Sequence, residues 1–362
     1  MIPLVKVGMP DKQILMPALE SILYSGHIAE GEAVYQFEEM FGEKFALPVA
    51  LSMSSGTAAL HASLILAGVQ SGDEVITTSM TAEPTNIAIL QVGAIPVFAD
   101  VDVQSGNLDP ESVNACITKK TKAIIVVHYA GMPARMAELA AIASKHEIPL
   151  IEDCAHALGA RYAAAGIGTI GDFGIFSLQA IKHMSTVDGG ILTMRDQAKI
   201  RAAKKFRWFG LEKGVPRTEV DITTLGYKYN MHNVAATMGL AQLLDIDTRV
   251  IARHKGNGQY FDREISNIPG LAVATFDEQA EPSYWLYTVL SDDSADVERR
   301  LAEIGVAASK LHRPNHLHSI FRPYAGDLQN LSKYYDRMIH IPCGWWVSNE
   351  DRERIVDALK KG

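Results

Sequence analysis

Short, almost entirely apolar segments alternate with helical patterns along the first two thirds of the chain, and this alternation most restricts the possible folds. Apolar runs of this length between turn signals indicate buried strands. Strands buried on both faces belong to parallel sheets covered by helices, so the pattern predicts an α/β fold. The predicted strands are Val49–Met53, Glu74–Thr77, Ile95–Ala99, Ala123–His128, Pro149–Glu152, Asp172–Ser177 and Gly190–Met194, with helices at Thr85–Gln91 and Ala134–His146.

The last third of the chain has a different pattern, in which long helices surround one strand. We therefore expect a large domain over residues 1–250 and a smaller α+β domain over residues 251–362. The predicted elements of this part are helices at Met231–Leu244, Asp247–Ile265, Asp296–Gly305 and Asn349–Lys360, and a strand at Tyr284–Leu290.

The composition restricts the partners of the chain. Its 34 basic and 42 acidic residues give a formal net charge of 34 − 42 = −8, whereas nucleic-acid-binding domains usually carry a basic excess. No apolar run reaches the ~20 residues that span a bilayer, and Lys6, Asp11 and Lys12 interrupt any signal-peptide core. The 3 cysteines form no CxxC pair, as in proteins of a reducing compartment. We expect a cytoplasmic protein without a nucleic-acid partner, a membrane partner or a metal site.

Three motifs carry possible chemistry, and the first is Ser54–Leu60, where small and hydroxyl residues lead from a strand into a helix. Backbone N–H groups at a helix N-terminus bind anions, and the hydroxyls of Ser55 and Thr57 could add hydrogen bonds to a phosphate. Serine and threonine also serve as ordinary helix N-caps, and that alternative stays open at this point.

The second motif places Glu152 and Asp153 at the end of a buried strand, followed by His156. Ligands of open α/β sheets bind outside the carboxyl ends of the strands, and a buried aspartate there needs a cation or hydrogen-bond donors. The alternatives are a helix N-cap for Asp153 and a core histidine for His156.

The third motif places Lys182 after a strand and before a Gly-Gly turn. Burial lowers the pKa of a lysine toward that of a nucleophilic amine, and such lysines form Schiff bases with carbonyls; a surface lysine is the alternative. A pyridoxal phosphate (PLP) site needs this lysine, an acid at the pyridine nitrogen and a phosphate site. All three occur here in order, with Asp153 and Lys182 29 residues apart, which is about one crossover unit between adjacent strands.

The segments EDCAHALGA, GDFGIFS, SLQAIKH with its following DGG, and GYKYN resemble the DegT/DnrJ/StrS sugar aminotransferases. The likeness runs from Ser25–Gly31 to Gly344–Asp351. It implies PLP fold-type I, with a mainly parallel, mixed seven-stranded sheet in a large domain and a smaller C-terminal α+β domain.

The resemblance also implies roles for individual residues. Lys182 matches the lysine that holds PLP, and Asp153 matches the acid at its ring nitrogen. Asn230 resembles an asparagine that reaches the phosphate from a neighbouring subunit, with Lys228 as a competing candidate, which implies a homodimer with shared active sites. The remaining matches are His156 near the phenolic oxygen of the cofactor, Gly56, Thr57 and Ser177 at its phosphate, and Gly26, His27 and His316 at the substrate.

Two positions depart from the family pattern. Thr81 stands where family members carry an aromatic ring stacked on the cofactor, so Met80 or a residue from elsewhere is expected to cover the ring. Leu178 replaces a common phenylalanine, which is a swap between apolar side chains of similar size.

The resemblance implies that the chain transfers an amino group from L-glutamate to a nucleotide-linked keto-deoxy sugar, with pyridoxamine phosphate (PMP) as intermediate. It also implies a role in the biosynthesis of amino sugars and of polysaccharides such as lipopolysaccharide. The alternatives are a PLP-dependent sugar dehydratase, in which histidine replaces the lysine, and a non-catalytic sensor on the same fold. A nicotinamide dehydrogenase is disfavoured because no GxGxxG follows a first strand. The diphosphate of such a substrate would need cations, and the candidates are Arg201, Lys204, Lys205 and Arg207. The alternative is that this basic run is a solvated helix face.

Overall fold

A computed structural model of the chain describes residues 1–361. Strands of at most seven residues and helices of at most fourteen residues follow one another along the chain. The strands are β1 Leu51–Met53, β2 Glu74–Thr78, β3 Ile95–Ala99, β4 Thr121–Val127, β5 Leu150–Asp153, β6 Arg161–Tyr162, β7 Ala165–Gly166, β8 Phe173–Ser177, β9 Gly190–Met194, β10 Leu271–Val273, β11 Ala280–Glu281, β12 Tyr287–Ser291 and β13 Met338–Ile341. The α-helices are α1 Lys12–Leu23, α2 Glu32–Phe45, α3 Gly56–Leu66, α4 Glu83–Gln91, α5 Pro110–Cys116, α6 Met136–Lys145, α7 Ile200–Phe206, α8 Asn233–Leu243, α9 Ala252–Ile265, α10 Ser294–Glu303, α11 Gln329–Arg337 and α12 Asn349–Leu359.

A seven-stranded sheet in the order β1-β9-β8-β5-β4-β2-β3 forms the centre of the molecule. The pairs β3–β2, β2–β4, β4–β5 and β5–β8 are parallel, whereas β9 runs antiparallel to both β8 and β1. The predicted α/β fold with a mainly parallel, mixed seven-stranded sheet is therefore confirmed.

The apolar strands are buried on both faces, as the sequence predicts. Successive side chains of a strand point to opposite faces. In β4, Ile124 and Val126 pack with α2, α6 and α8 in one apolar cluster, while Ala123 and Ile125 pack with α3 and α4 in another. Helices thus cover both faces of the sheet, and ligands of such a sheet bind at the carboxyl ends of its strands.

The strand directions bring several chain segments to that carboxyl edge. Asp153 ends β5 and Ser177 ends the neighbouring parallel strand β8. Because β9 is antiparallel, its first residue Gly190 lies opposite both Ser177 and Met53, the last residue of β1. The start of α3, which follows β1, therefore lies beside the ends of β5 and β8.

The C-terminal part contains an antiparallel sheet, β10-β12-β13, packed with α9, α10 and α12. The expected boundary at residue 250 falls within continuous helical backbone, since a π-helical turn at Asp247–Ile251 leads directly into α9. The N-terminus also contacts this part: Ile2 forms a parallel bridge with Val306, and Trp346 Nε1 donates to the carbonyl of Pro3 at 2.9 Å. No helix among residues 1–361 is long and apolar enough to cross a membrane.

Candidate active site

A cavity of about 340 Å³ lies at the carboxyl edge of the central sheet. Its lining combines the strand ends with the start of α3, the start of α4 and the segment after β8. The residues predicted from the sequence that line it are Gly56, Thr57, Asp153, His156, Ser177 and Lys182.

Asp153 is buried at the end of β5, with 2% of its surface exposed. Its Oδ2 accepts a hydrogen bond from Thr85 Oγ1 at 2.8 Å, and its Oδ1 accepts one from the N–H of Ala155 at 3.1 Å. Burial raises the pKa of this carboxyl, while these two hydrogen bonds and the charge of Lys182 act against that rise. Asp153 is thus a carboxylate that a further positive group would stabilise.

The preceding carboxylate, Glu152, faces away from this site and is fully satisfied. Backbone N–H groups of Gly168, Ile170 and Gly171 donate to its two oxygens at 3.0, 2.7 and 2.7 Å. His128 accepts from the N–H of Ala134 at Nδ1, so its proton sits on Nε2, 3.2 Å from Glu152 Oε2. Because side chains alternate along β5, Asp153 faces the cavity and Glu152 forms hydrogen bonds within the fold.

Lys182 lies in the turn after β8, and its Nζ is 4.0 Å from the centroid of the Trp285 ring. Burial lowers the pKa of this amine to about 7, against the opposing effect of the Asp153 charge. A neutral amine is therefore available near neutral pH, as a Schiff-base lysine requires.

The neighbouring His183 points away from the cavity. Its Nε2 lies 3.2 Å from the carbonyl oxygen of Ser283, and its ring packs on His254 with centroids 4.5 Å apart. It cannot stand in for the lysine, which removes the structural basis for a dehydratase of the kind that uses histidine there.

The N-terminus of α3 forms one end of the cavity. Ser55 caps the helix by accepting from the N–H of Ala58 at 3.0 Å, so the N-cap interpretation of this motif is correct for Ser55. A Cβ built on Gly56 would lie 3.1 Å from the Cβ of Ser177, so only glycine lets the strand end approach the helix without displacement. The free N–H groups of the first turn and the Ser177 and Thr57 hydroxyls suit a phosphate.

The ring of His156 supplies a direct test of whether the site suits PLP. Its Nδ1 is buried and has no hydrogen-bond partner among the described residues, and burial lowers the pKa of the ring well below its ordinary value. An unpaired buried nitrogen is costly unless a ligand completes it. This nitrogen fits the phenolic oxygen of PLP. Lys182 fits its aldehyde, Asp153 its ring nitrogen, and the N-terminus of α3 its phosphate.

The sequence-based predictions missed three residues at or beside the cavity: Thr85, Trp285 and His312. His312 lines the cavity with its ring parallel to that of His156, at an interplanar angle of 4° and a centroid distance of 5.7 Å. Burial lowers its pKa to about 4. The cluster of histidines in HRPNHLH signalled this segment, but its spacing did not show which histidine faces inward.

Thr81, at the position where family members carry a stacking ring, forms a hydrogen bond instead. Its hydroxyl lies 2.9 Å from that of Thr85. Because Thr85 donates to Asp153, it accepts from Thr81, and a chain of two hydroxyls leads to the carboxylate. Met80 is fully buried in a different apolar cluster and is not among the lining residues, so the suggestion that it covers the cofactor is wrong.

The predicted substrate residues lie outside the lining of this cavity. His316 Nδ1 is 2.7 Å from Ser79 Oγ, and Gly26 and His27 are exposed in the loop after α1. Asn230 and Lys228 also lie elsewhere: Asn230 lines an adjacent cavity that shares Asp188 with the first, and Lys228 Nζ lies 3.8 Å from the Trp208 ring centroid.

The basic run after β9 is only partly a solvated helix face. Arg207 is 2% exposed and pairs with Glu30 and Glu38 at 3.2 and 2.6 Å. Arg201 is exposed and pairs with Glu212, which Lys205 approaches at 3.4 Å. Arg207 is therefore a structural ion and no candidate for a diphosphate.

Comparisons with known proteins agree with this geometry. The sequence model of the DegT/DnrJ/EryC1/StrS aminotransferase family matches residues 11–360. The spore coat polysaccharide biosynthesis protein SpsC of Bacillus subtilis (strain 168) is 31% identical over 372 residues, which cover 98% of this chain and 94% of that protein.

Solved structures give the same result for the fold. The sugar aminotransferase CalS13 from Micromonospora echinospora superposes with a TM-score of 0.96, at 33% identity and with all of both chains covered. Spr1654 from Streptococcus pneumoniae, solved in PLP and PMP forms, gives a TM-score of 0.90 at 25% identity, covering 99% of this chain and 98% of that one.

Proposed function

The chain belongs to the DegT/DnrJ/EryC1/StrS aminotransferase family, and from that premise we propose that it transfers an amino group from L-glutamate to a nucleotide-linked keto-deoxy sugar. It is a PLP-dependent transaminase. The amino sugar produced would enter polysaccharide biosynthesis, lipopolysaccharide included, and the three unpaired cysteines favour a cytoplasmic enzyme.

One observation carries this proposal: Lys182, Asp153 and the start of α3 line the same cavity. A Schiff-base amine, an acid for a ring nitrogen and a phosphate site are the three parts that PLP chemistry needs from a protein. A non-catalytic sensor would not require a lysine whose pKa is lowered to about 7.

When bound, PLP supplies an electron sink for the carbanion that forms at the α-carbon of the amino donor. Lys182 Nζ accepts the proton from that α-carbon and delivers it to the cofactor carbon, acting as general base and then as general acid. Burial lowers the pKa of Lys182 to about 7, and a group whose pKa lies near the working pH can both take up a proton and give it back.

Asp153 and His156 are assigned to the two polar atoms of the PLP ring, its nitrogen and its phenolic oxygen. Asp153 would hold a proton on the ring nitrogen of bound PLP, and the hydrogen bonds from Thr85 and Ala155 favour the ionised form of Asp153 that this role requires. His156 Nδ1, which has no hydrogen-bond partner among the described residues, would bind the phenolic oxygen of PLP.

The size of the cavity supports a substrate whose nucleotide lies outside it. About 340 Å³ is at the small end of the range for small-molecule sites, so the space suits the cofactor and the reacting sugar ring. Lys204 on the exposed side of α7 remains a candidate for diphosphate contact. The choice of L-glutamate as donor rests on the family resemblance.

A homodimer with shared active sites is supported by two features of the surface. Large apolar side chains are exposed at the end of α1 and in the segment before α8. Tyr24, directly after α1, is 86% exposed and Leu225 is 74% exposed, and exposed apolar patches mark interaction sites. Asn230 Oδ1 is buried without a hydrogen-bond partner among the described residues, in a cavity that its own active site does not include. Because Oδ1 only accepts, the atom that would donate to a partner subunit's cofactor phosphate is Nδ2, which gives one N–H to the carbonyl of Met231 at 3.3 Å and has a second N–H to give.

The test is the complete reaction in two halves. The purified holoenzyme is incubated with L-glutamate, freed of it, and then given a panel of nucleotide-linked keto sugars, with product masses measured. We expect 2-oxoglutarate in the first half, an amino sugar in the second, and ping-pong kinetics overall. Release of ammonia or loss of oxygen from the sugar without amination would instead indicate dehydratase chemistry.

A further inference from the structure

Trp285 connects the C-terminal part of the molecule to the turn that carries Lys182. It lies just before β12, is 1% exposed, and packs in the apolar cluster that contains Tyr129 and Leu286. Its indole Nε1–H donates to the carbonyl oxygen of Ile181 at 2.9 Å. This hydrogen bond holds the peptide immediately before Lys182.

The ring of Trp285 also contacts two side chains of the cavity. Lys182 Nζ lies 4.0 Å from the ring centroid, within the range of cation–π attraction. The ring of His156 stacks on it with centroids 4.1 Å apart and planes inclined by 23°. One buried side chain therefore contacts the backbone before the lysine, the amine itself and the histidine assigned to the phenolic oxygen.

From these contacts we infer that Trp285 is a positioning residue for the Lys182 amine: its N–H fixes the turn, and its ring face fixes the end of the flexible side chain. This inference rests on the proposed function. Lysine has four rotatable carbons and loses conformational freedom when its amine is held. A fixed amine meets a carbonyl faster than a mobile one, because the reacting geometry is already present.

The ring acts on the charge of the amine together with the other groups around it. An aromatic face stabilises the ammonium form, as the carboxylate of Asp153 does. The ionisable groups that face or line the surroundings of Lys182 are Asp153, His156, His183, His312, Glu83 and Asp188. A variant of Trp285 replaces none of these groups, although it removes the ring on which His156 stacks.

The experiment measures how fast apoprotein and PLP form the Schiff base, from the growth of the visible band, as a function of pH. Trp285→Phe keeps a ring over the amine and removes the N–H, whereas Trp285→Leu removes both. Trp346→Phe is the matched control, because Trp346 makes the same kind of hydrogen bond, to the carbonyl of Pro3 at 2.9 Å, away from the cavity lining. Circular dichroism and unfolding midpoints check that each variant is folded.

We expect Trp285→Phe to slow band formation about tenfold with the pH inflection within a few tenths of a unit of wild type. Trp285→Leu should also lower the inflection by about 0.5–1 pH unit, since the ammonium loses the ring. Trp346→Phe should match wild type in both quantities.

The inference would be overturned, with the proposed function untouched, by either of two results. One is a Trp285→Leu variant that behaves as wild type, and the other is a Trp346→Phe variant that slows the reaction as much as Trp285→Phe. If Trp285→Leu does not fold, the comparison of the two phenylalanine variants decides. A wild-type apoprotein that forms no visible band would overturn the proposed function and this inference together.

Discussion

Two carboxylates stand next to each other at the end of β5, and their surroundings divide their tasks. Glu152 is fully buried and accepts hydrogen bonds from three backbone N–H groups, so its oxygens are satisfied within the fold. Asp153 has one side-chain donor and one backbone donor and lines the cavity. At the residue scale, function depends on which side of the strand a carboxylate occupies.

Matched amide variants test this division. Asp153→Asn should reduce the rate of the glutamate half-reaction at least about a hundredfold, because an amide cannot hold the ring nitrogen proton. Glu152→Gln should lower the free energy of unfolding by about 3 kcal/mol, since its NH₂ group would face a backbone N–H. Denaturant titration and stopped-flow rates measure the two effects. Loss of stability in Asp153→Asn together with normal turnover would contradict the assignment.

The hydroxyl of Thr85 favours the ionised form of Asp153, and its removal has a defined sign. Without this donor the pKa of Asp153 rises further above its usual value. Because the ionised form is active, Thr85→Val should move the acid limb of the pH–rate profile of kcat/KM upward by about one pH unit. Thr81→Val, which leaves the donor in place, should move it less. An unchanged acid limb in Thr85→Val would show that another group controls it.

At the scale of elements, the antiparallel strand β9 determines the position of the proposed phosphate site. It pairs Gly190 with Ser177 on one side and with Met53 on the other, so β1 ends beside β8 and α3 begins at the cavity. A Cβ on Gly190 would lie 2.5 Å from the backbone of Ser55. The helix N-terminus therefore approaches the strand ends only over glycine.

Gly56→Ala tests the close approach of α3 to β8. The added Cβ would meet Ser177 at 3.1 Å, so we expect the dissociation constant of PLP to rise about tenfold, or about 1.4 kcal/mol. Gly256→Ala is the control: its Cβ meets no atom within 4 Å in α9, so it should add about 0.5–1 kcal/mol of stability without changing PLP affinity. Fluorescence titration of apoprotein measures both affinities, and equal values would contradict this account of the phosphate site.

The elements that the sequence predicts well are those with a local signal. The apolar runs predict both ends of β3 and β9 correctly, and the Lys182 and Asp153 motifs lie at or just after the ends of strands. Trp285 and Thr85 had no such signal, because each meets its partner only through the tertiary fold: Trp285 lies 285 − 182 = 103 residues from Lys182. The domain boundary at residue 250 stays a prediction from the change in pattern; continuous helical backbone crosses this position, and Ile2 near the N-terminus bridges to Val306 in the C-terminal part.

At the scale of the whole molecule, a shared active site predicts complementation between inactive subunits. Lys182→Ala and Asn230→Asp should each be impaired alone, the second because a carboxylate repels the phosphate. After subunit exchange, half of the dimers are hybrids with one intact site, so about a quarter of wild-type activity should return. Activity after mixing, with the dimer checked by light scattering, measures this. No recovery in exchanged dimers would place Asn230 outside the partner's site.

The central claim is that Lys182 holds PLP in a working transaminase, and the visible absorption spectrum tests it most directly. Wild-type protein reconstituted with PLP should show a visible Schiff-base band that disappears on addition of L-glutamate as the pyridoxamine form appears, whereas Lys182→Ala should show neither change. A wild-type protein with no visible band, or a Lys182→Ala variant that converts glutamate at the wild-type rate, would contradict the account.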